Sequence, residues 1–290
     1  MMIEKNNVIF NMNSENKPIA KYKSGDIIEF ETMDCFSESI KNKEDLLSEI
    51  NWECVNPATG PVYIEGSEEG DVLKVDILEI KIEDKGVVIA FPGAGALGDK
   101  VKKEENIIVE IKDNKGYFEG MEFDLNPMIG VIGTAPKEDK ISTGTPYNHG
   151  GNMDCKMIKQ GVSLYLPVNT KGALLALGDL HAAMGDGEIM GSGVEVSGKV
   201  KAKVEVIKDF KYSTPLIETE DKIITIASRD TMEEASKKAI ENMADIIIDK
   251  KNISLNKAGM IMSILADLKV CQIVDPKMTM RMELEKKYLK

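Results

Sequence analysis

The sequence predicts a mainly β chain, α+β in class, whose helices are confined to a smaller C-terminal α/β segment. Three observations predict it. Short apolar runs punctuated by Gly, Pro, Asn and Asp fill the first two-thirds, one of those runs alternates strictly, and apolar spacing of helical period begins only after about residue 229. Residues 1–228 are therefore read as a mainly β region that carries the chemistry, and 229–290 as an α/β segment packed on it.

The elements follow in order. The run 27–30 comes after Ser24-Gly25-Asp26 and the run 72–80 after Glu69-Gly70-Asp71, a turn-then-strand device used twice that hints at a duplicated β unit. Further strands are predicted over 87–91, 107–111, 162–168 and 173–177, the last apolar at every position, as a strand covered on both faces would be. Over 199–206, Val200, Ala202, Val204 and Val206 alternate with Lys199, Lys201, Lys203 and Glu205, which predicts one buried and one wet face. Asp230 and Glu233 form a capping pair for a helix over 230–249 carrying Ala235, Ala239, Ile240, Met243, Ile246 and Ile247. Ser254 caps a second helix with Ala258, Ile261, Met262, Leu265 and Leu268, and 270–274 reads as a strand ended by Asp275-Pro276.

Composition excludes several function classes. The 290 residues carry 37 Lys+Arg against 49 Asp+Glu, a formal charge of −12 that repels phosphate backbones, and no local Lys/Arg run offsets it, so nucleic acid is not expected as a partner. The start lacks a basic region followed by an apolar run, and the most apolar stretch, 172–185, is interrupted by Asp179 and His181, so the expectation is a cytoplasmic protein without membrane contact. Cys35, Cys54, Cys155 and Cys271 lack CxxC spacing and read as reduced structural thiols.

Both histidines lie beside carboxylates among glycines, in Asn148-His149-Gly150-Gly151-Asn152-Met153-Asp154 and in Gly178-Asp179-Leu180-His181. In a strand, Asp179 and His181 point to one face and could grip one ion or orient one water. Asp186-Gly187 signals a hairpin pairing 178–185 with 188–196, which sets His181 opposite Ser192 and puts Glu188 on the face of His181 and Asp179. That register leaves Glu195 opposite Gly178 on the other face unless a bulge at Gly191-Ser192-Gly193 brings it round. Asp34 is a third contributor by the same chemical reading. Imidazole with carboxylates and an Asn carbonyl suits zinc or another divalent cation, and an all-oxygen subset suits calcium or magnesium. Such a cation can activate water and polarise a carbonyl while a free carboxylate carries the proton, a sufficient means to open a resonance-stabilised amide. Gly93-Ala94-Gly95-Ala96-Leu97-Gly98 fits GxGxxG only formally, since no βαβ unit surrounds it, and a Cys155 nucleophile served by His149 or His181 is a minor alternative.

The stretch Gly178-Asp179-Leu180-His181-Ala182-Ala183-Met184-Gly185-Asp186-Gly187-Glu188, with Gly191 and Glu195 after it, resembles the hallmark of the acetamidase/formamidase family. Asn56-Pro57-Ala58-Thr59-Gly60-Pro61, Phe91-Pro92-Gly93, Met128-Ile129-Gly130-Val131-Ile132-Gly133, His149-Gly150-Gly151-Asn152-Met153-Asp154 and Leu164-Tyr165-Leu166-Pro167-Val168 resemble the family's other landmarks, in its order. The resemblance implies a β-sandwich-like core, a homodimer, divalent metal near the hallmark, and hydrolysis of formamide, acetamide or a similar short amide to acid and ammonia. The matching polar positions are Asn152, Asp154, Asp179, His181, Asp186, Glu188 and Glu195. On chemical grounds Asn152, Asp154, Asp179 and His181 are expected to hold metal, zinc first with calcium as a second ion, Glu188, Glu195 and Asp186 to carry catalysis, and Asp34 and His149 to face substrate. Met184 stands where the family pattern commonly has Gln, which bears on the amide preferred. Two other readings compete: a non-catalytic β-sandwich module that holds calcium and a ligand, and a hydrolase of another C–N bond such as a cyclic amide.

Overall fold

Two large sheets dominate the computed structural model, which describes residues 2–290. The chain is mainly β, with two α-helices among the described residues, Met232–Lys251 and Leu255–Leu265. The first sheet has nine strands and, third from one edge, sets Gly198–Ile207 between Ile27–Thr32 and Val72–Ile82, so the two strands that follow the repeated turns flank the strictly alternating one. Val200, Ala202 and Val204 are buried there while Lys201 is exposed, as the alternation requires. The second sheet has eleven strands and is organised around Leu175–His181, buried at every position. One apolar cluster draws on both sheets, with Phe30, Val75 and Val200 from the first and Val62, Ile129, Ile132 and Leu177 from the second. That shared core makes the pair a sandwich.

Local details differ from the expectation for physical reasons. The strand expected over 173–177 begins at Leu175, because Ala173 and Leu174 adopt left-handed backbone with φ of 57° and 56°, and it runs on to His181. The long helix is capped one residue later than expected, by Thr231, whose hydroxyl accepts from Glu234 N. Ser254 caps the second helix as expected, but that helix stops at Leu265, and Leu268 lies exposed in the strand Asp267–Gln272.

The C-terminal segment contributes the last two strands of the nine-stranded sheet, Met278–Glu285 and Asp267–Gln272. Met278–Glu285 pairs antiparallel with Lys222–Arg229, and both helices pack an apolar face, Ala239, Met243, Ile247, Ala258 and Met262, over those strands. Arg281 and Glu283 are buried in Met278–Glu285, joined by Arg281 Nε to Glu283 Oε1 at 2.8 Å, while Lys222 Nζ donates to Glu283 Oε2 at 2.8 Å. Burial pushes the Glu283 carboxyl up, but hydrogen bonds from Lys222 and Arg281 outweigh it and hold the group at about 2. A carboxyl depressed in the folded state stabilises above its unfolded pKa, and that contribution is lost as pH falls toward the folded value. Glu283→Gln is expected to cost about 3 kcal/mol at pH 7. Urea unfolding at pH 7, 5 and 3 should show the deficit against the parent chain narrowing as the pH drops.

Candidate active site

The central strand Leu175–His181 delivers Asp179 and His181 into the interior, and its neighbours supply the rest. Met128–Gly133 pairs with it antiparallel, but the ladder omits the Gly130 and Asp179 step, where Asp179 turns left-handed with φ of 54°. Asp154 follows the strand Gly150–Asn152, which pairs with the far side of Met128–Gly133, and has φ of 40°. Glu188 (48°) and Asn56 (55°) are also left-handed. Such backbone costs of order 1–3 kcal/mol per residue and persists only where the surroundings impose it, and here four such polar residues lie close together.

Glu195 reaches the centre by a register other than the expected one. His181 stands opposite Glu195, and Leu180 opposite Val196, so no bulge is needed to turn Glu195 inward. Asp186-Gly187 does not close a two-residue hairpin. Gly187 instead leans on the C-terminal segment, its N–H donating to Cys271 O and its carbonyl accepting from Ile273 N. The intervening chain forms a longer loop and moves the pairing by three residues.

The result is a buried cluster. His181 Nε2 lies 3.2 Å from Glu195 Oε2, 3.5 Å from Asp179 Oδ1 and 3.7 Å from Asp154 Oδ1. Glu195 Oε1 accepts from Gly193 N at 2.8 Å. Asn152 Nδ2 donates to Asp275 Oδ2 at 2.9 Å, and Asn56 Nδ2 reaches Asp179 Oδ2 at 3.5 Å. Two sets of potential ligand atoms converge, one from Asp154, His181 and Glu188, the other from Cys35, Asp179 and Glu195. Burial pushes the Asp154 carboxyl up to about 7 and Glu195 to about 8, and it drives Glu188 and Asp275 upward as well. Burial opposes charge on His181 too, yet Glu195 and Asp179 outweigh it and hold the imidazole well above its usual range. For Asp179 the burial penalty is overcome by His181, which holds that carboxyl low.

The donor chemistry fits a divalent cation. Both Asp154 oxygens, Asp179 Oδ1, Glu188 Oε2, Glu195 Oε2 and Asn152 Oδ1 are buried without a hydrogen-bond partner. So many inward acceptors are unfavourable without a positive charge to receive them.

The remaining expected residues separate. Asp34 lines a cavity of about 520 Å³ together with Glu195, Glu38, Lys5 and Ser197. Its Oδ1 accepts from Phe36 N and Glu38 N, and burial pushes the carboxyl up to about 6. His149 belongs to neither convergent set; both its ring nitrogens are buried without partners, and burial pushes its pKa down to about 4. Asp186, expected among the catalytic carboxylates, is taken up by cations instead: Arg281 Nη1 and Nη2 grip its two oxygens at 2.7 and 2.9 Å, and Lys156 Nζ lies at 3.1 Å. That bidentate pair ties the Glu188 loop to the C-terminal strand. Cys155 lies beside Cys271 and Arg281, with neither histidine among the groups acting on it. Sequence reasoning missed Cys35, Asn56 and Asp275. Asp275-Pro276 read only as a strand terminator, and Asn56-Pro57 only as a landmark.

Comparison with known proteins places the chain in a family. The model of the Acetamidase/Formamidase family matches residues 2–145 and 137–275. A crystal structure of an acetamidase from Bacillus halodurans is similar at 47% identity and TM-score 0.98, covering 99% of this chain and 98% of that one. A predicted acetamidase/formamidase from Thermoanaerobacter tengcongensis is similar at 45% identity and TM-score 0.96, with 99% and 96% covered. A formamidase from Methylophilus methylotrophus is 26% identical over 256 residues, 66% of this chain and 62% of that protein. The chain spans about three fifths of the length of the first curated relatives it matches.

Proposed function

The chain belongs to the acetamidase/formamidase family, and from that premise we propose that it hydrolyses short linear amides such as formamide or acetamide to the carboxylic acid and ammonia. The observation that carries this reading is the buried meeting of His181 with Asp154, Asp179 and Glu195 where Glu195 borders an open cavity.

Asp154, His181 and Glu188 would hold a divalent cation, with Asp179 beside them. Bound there, the cation supplies Lewis acidity, polarising the amide carbonyl and lowering the pKa of water. Zinc is favoured over calcium, because one convergent set contains imidazole and the other a thiol, whereas calcium takes oxygen alone. Glu195 is the member of the cluster that lines the cavity, so it is assigned as the proton carrier. Its carboxylate takes a proton from water as the hydroxyl adds to the carbonyl carbon, then passes that proton to the amide nitrogen as the C–N bond breaks and ammonia leaves. Gly193 N donates to Oε1 and fixes the group for both transfers. Asp34, on the same cavity wall, faces the incoming amide. The same reading takes the working form as a homodimer in the cytoplasm, with exposed Leu255, Met260, Ile264 and Leu268 available for contact.

Ammonia release from formamide, acetamide and propionamide, before and after chelation and with zinc, calcium or manganese restored, tests the reading. Turnover should vanish with the chelator and return with zinc. Glu195→Gln should lower kcat by roughly 10²- to 10⁴-fold while retaining the metal. Metal binding without turnover on any linear amide would favour the non-catalytic module, and turnover on cyclic amides alone would move the substrate class.

A further inference from the structure

A second cavity, of about 270 Å³, lies where the strand Lys222–Arg229 ends against the helix Met232–Lys251. Its lining contains Arg229 and Lys238 and no carboxylate, in a chain whose formal charge is −12. Neither cation has a carboxylate partner among the described residues. Arg229 is held in place all the same. Its guanidinium stacks 5.3 Å from the Tyr147 ring centroid, and Nη1 donates to Asn148 Oδ1 at 3.0 Å and to Ser228 O at 2.6 Å. Those contacts satisfy one edge of a five-donor fork and leave donors over. Lys238 sits one helical turn before Asn242, on the same face. Asn242 is only 3% exposed, lines the cavity, and has an Oδ1 that finds no donor. Ser213 and Thr214 also line it.

We propose that this cavity binds a phosphate group, as inorganic phosphate or as the head of a small phosphate monoester. Two positive side chains that lack carboxylate partners and line one cavity ask for an anion. A phosphate offers several anionic oxygens at once, enough for Arg229, Lys238 and the neighbouring Ser213 and Thr214. The site is independent of the proposed hydrolysis, since none of its lining residues belongs to either convergent metal set. The sequence conceals it, because Arg229 and Lys238 come from different elements and form no basic run.

Calorimetric titration of the full-length, metal-loaded protein with inorganic phosphate, sodium sulfate and glycerol phosphate at constant ionic strength tests the proposal. The expected result is saturable binding of one phosphate or phosphate ester per chain, the tighter of the two identifying the source, with sulfate competing for the same site. Arg229→Gln and Lys238→Gln should each weaken it by about tenfold or more while metal content and ammonia release stay at the parent level. Absence of saturation up to about 20 mM, or binding undiminished in the double variant, would overturn it. Phosphate bound only at the metal cluster would give that second result.

Discussion

His181→Ala should reduce ammonia release by at least about 10³-fold, because this one ring is the point at which the cluster converges. Its Nε2 lies within 3.7 Å of oxygens from Asp154, Asp179 and Glu195, and no other basic side chain is within ion-pair distance of those three among the described residues. Removing it takes away a proposed cation ligand in the loaded protein and, without the cation, the one basic side chain among the described residues that faces those carboxylates. The alanine variant also opens a cavity among buried acids, and losing one partner of a buried pair costs roughly 3–5 kcal/mol. His181→Gln serves as the companion variant, since it retains bulk and a donor. Both should fold by circular dichroism, with the alanine variant melting lower, and both should lose zinc measured by elemental analysis. Full activity in the glutamine variant would remove this cluster as the reaction centre.

Much of this arrangement was legible locally, and the reasons for the rest are specific. Alternation and apolar runs revealed the strands because side-chain period follows from the pleat, and Thr231 and Ser254 cap helices within one residue of where the sequence placed their starts. The pairing of Asp179 with His181 was legible as Asp-x-His, although the left-handed backbone at Asp179 departs from a regular strand. Glu195 was misplaced because Asp-Gly is a strong hairpin signal only when nothing competes for it. Here Gly187 bonds to Cys271 and Ile273, and Asp186 to Arg281, so tertiary contacts from the far end of the chain replace the turn. Asp275 was illegible for the same reason: nothing near it in sequence says that it will meet Asn152, 123 residues away.

Gly130 offers a test of the cluster that removes none of its chemical groups. A Cβ built at this position would lie 2.5 Å from Asp154 Oδ1, 2.7 Å from Asp179 Oδ2 and 2.9 Å from the Asp179 carbonyl, closer than real Cβ atoms come. Gly130 lies in the strand Met128–Gly133 with ordinary negative φ, so conformational freedom does not explain a glycine here. Space for the two carboxylates does. Gly130→Ala should therefore push Asp154 and Asp179 apart while leaving every proposed ligand in the sequence. Zinc affinity and ammonia release are expected to fall together, by roughly 10- to 100-fold, the range found when groups supporting metal ligands are disturbed. Gly185→Ala is the control, because a Cβ there meets nothing within 4 Å. Zinc titration against a competing chelator, run beside the activity assay, separates the outcomes. A parallel fall in both places Gly130 as the floor on which the carboxylates converge, whereas unchanged zinc affinity with lost activity would mean that Asp154 and Asp179 hold no metal and act on the substrate directly.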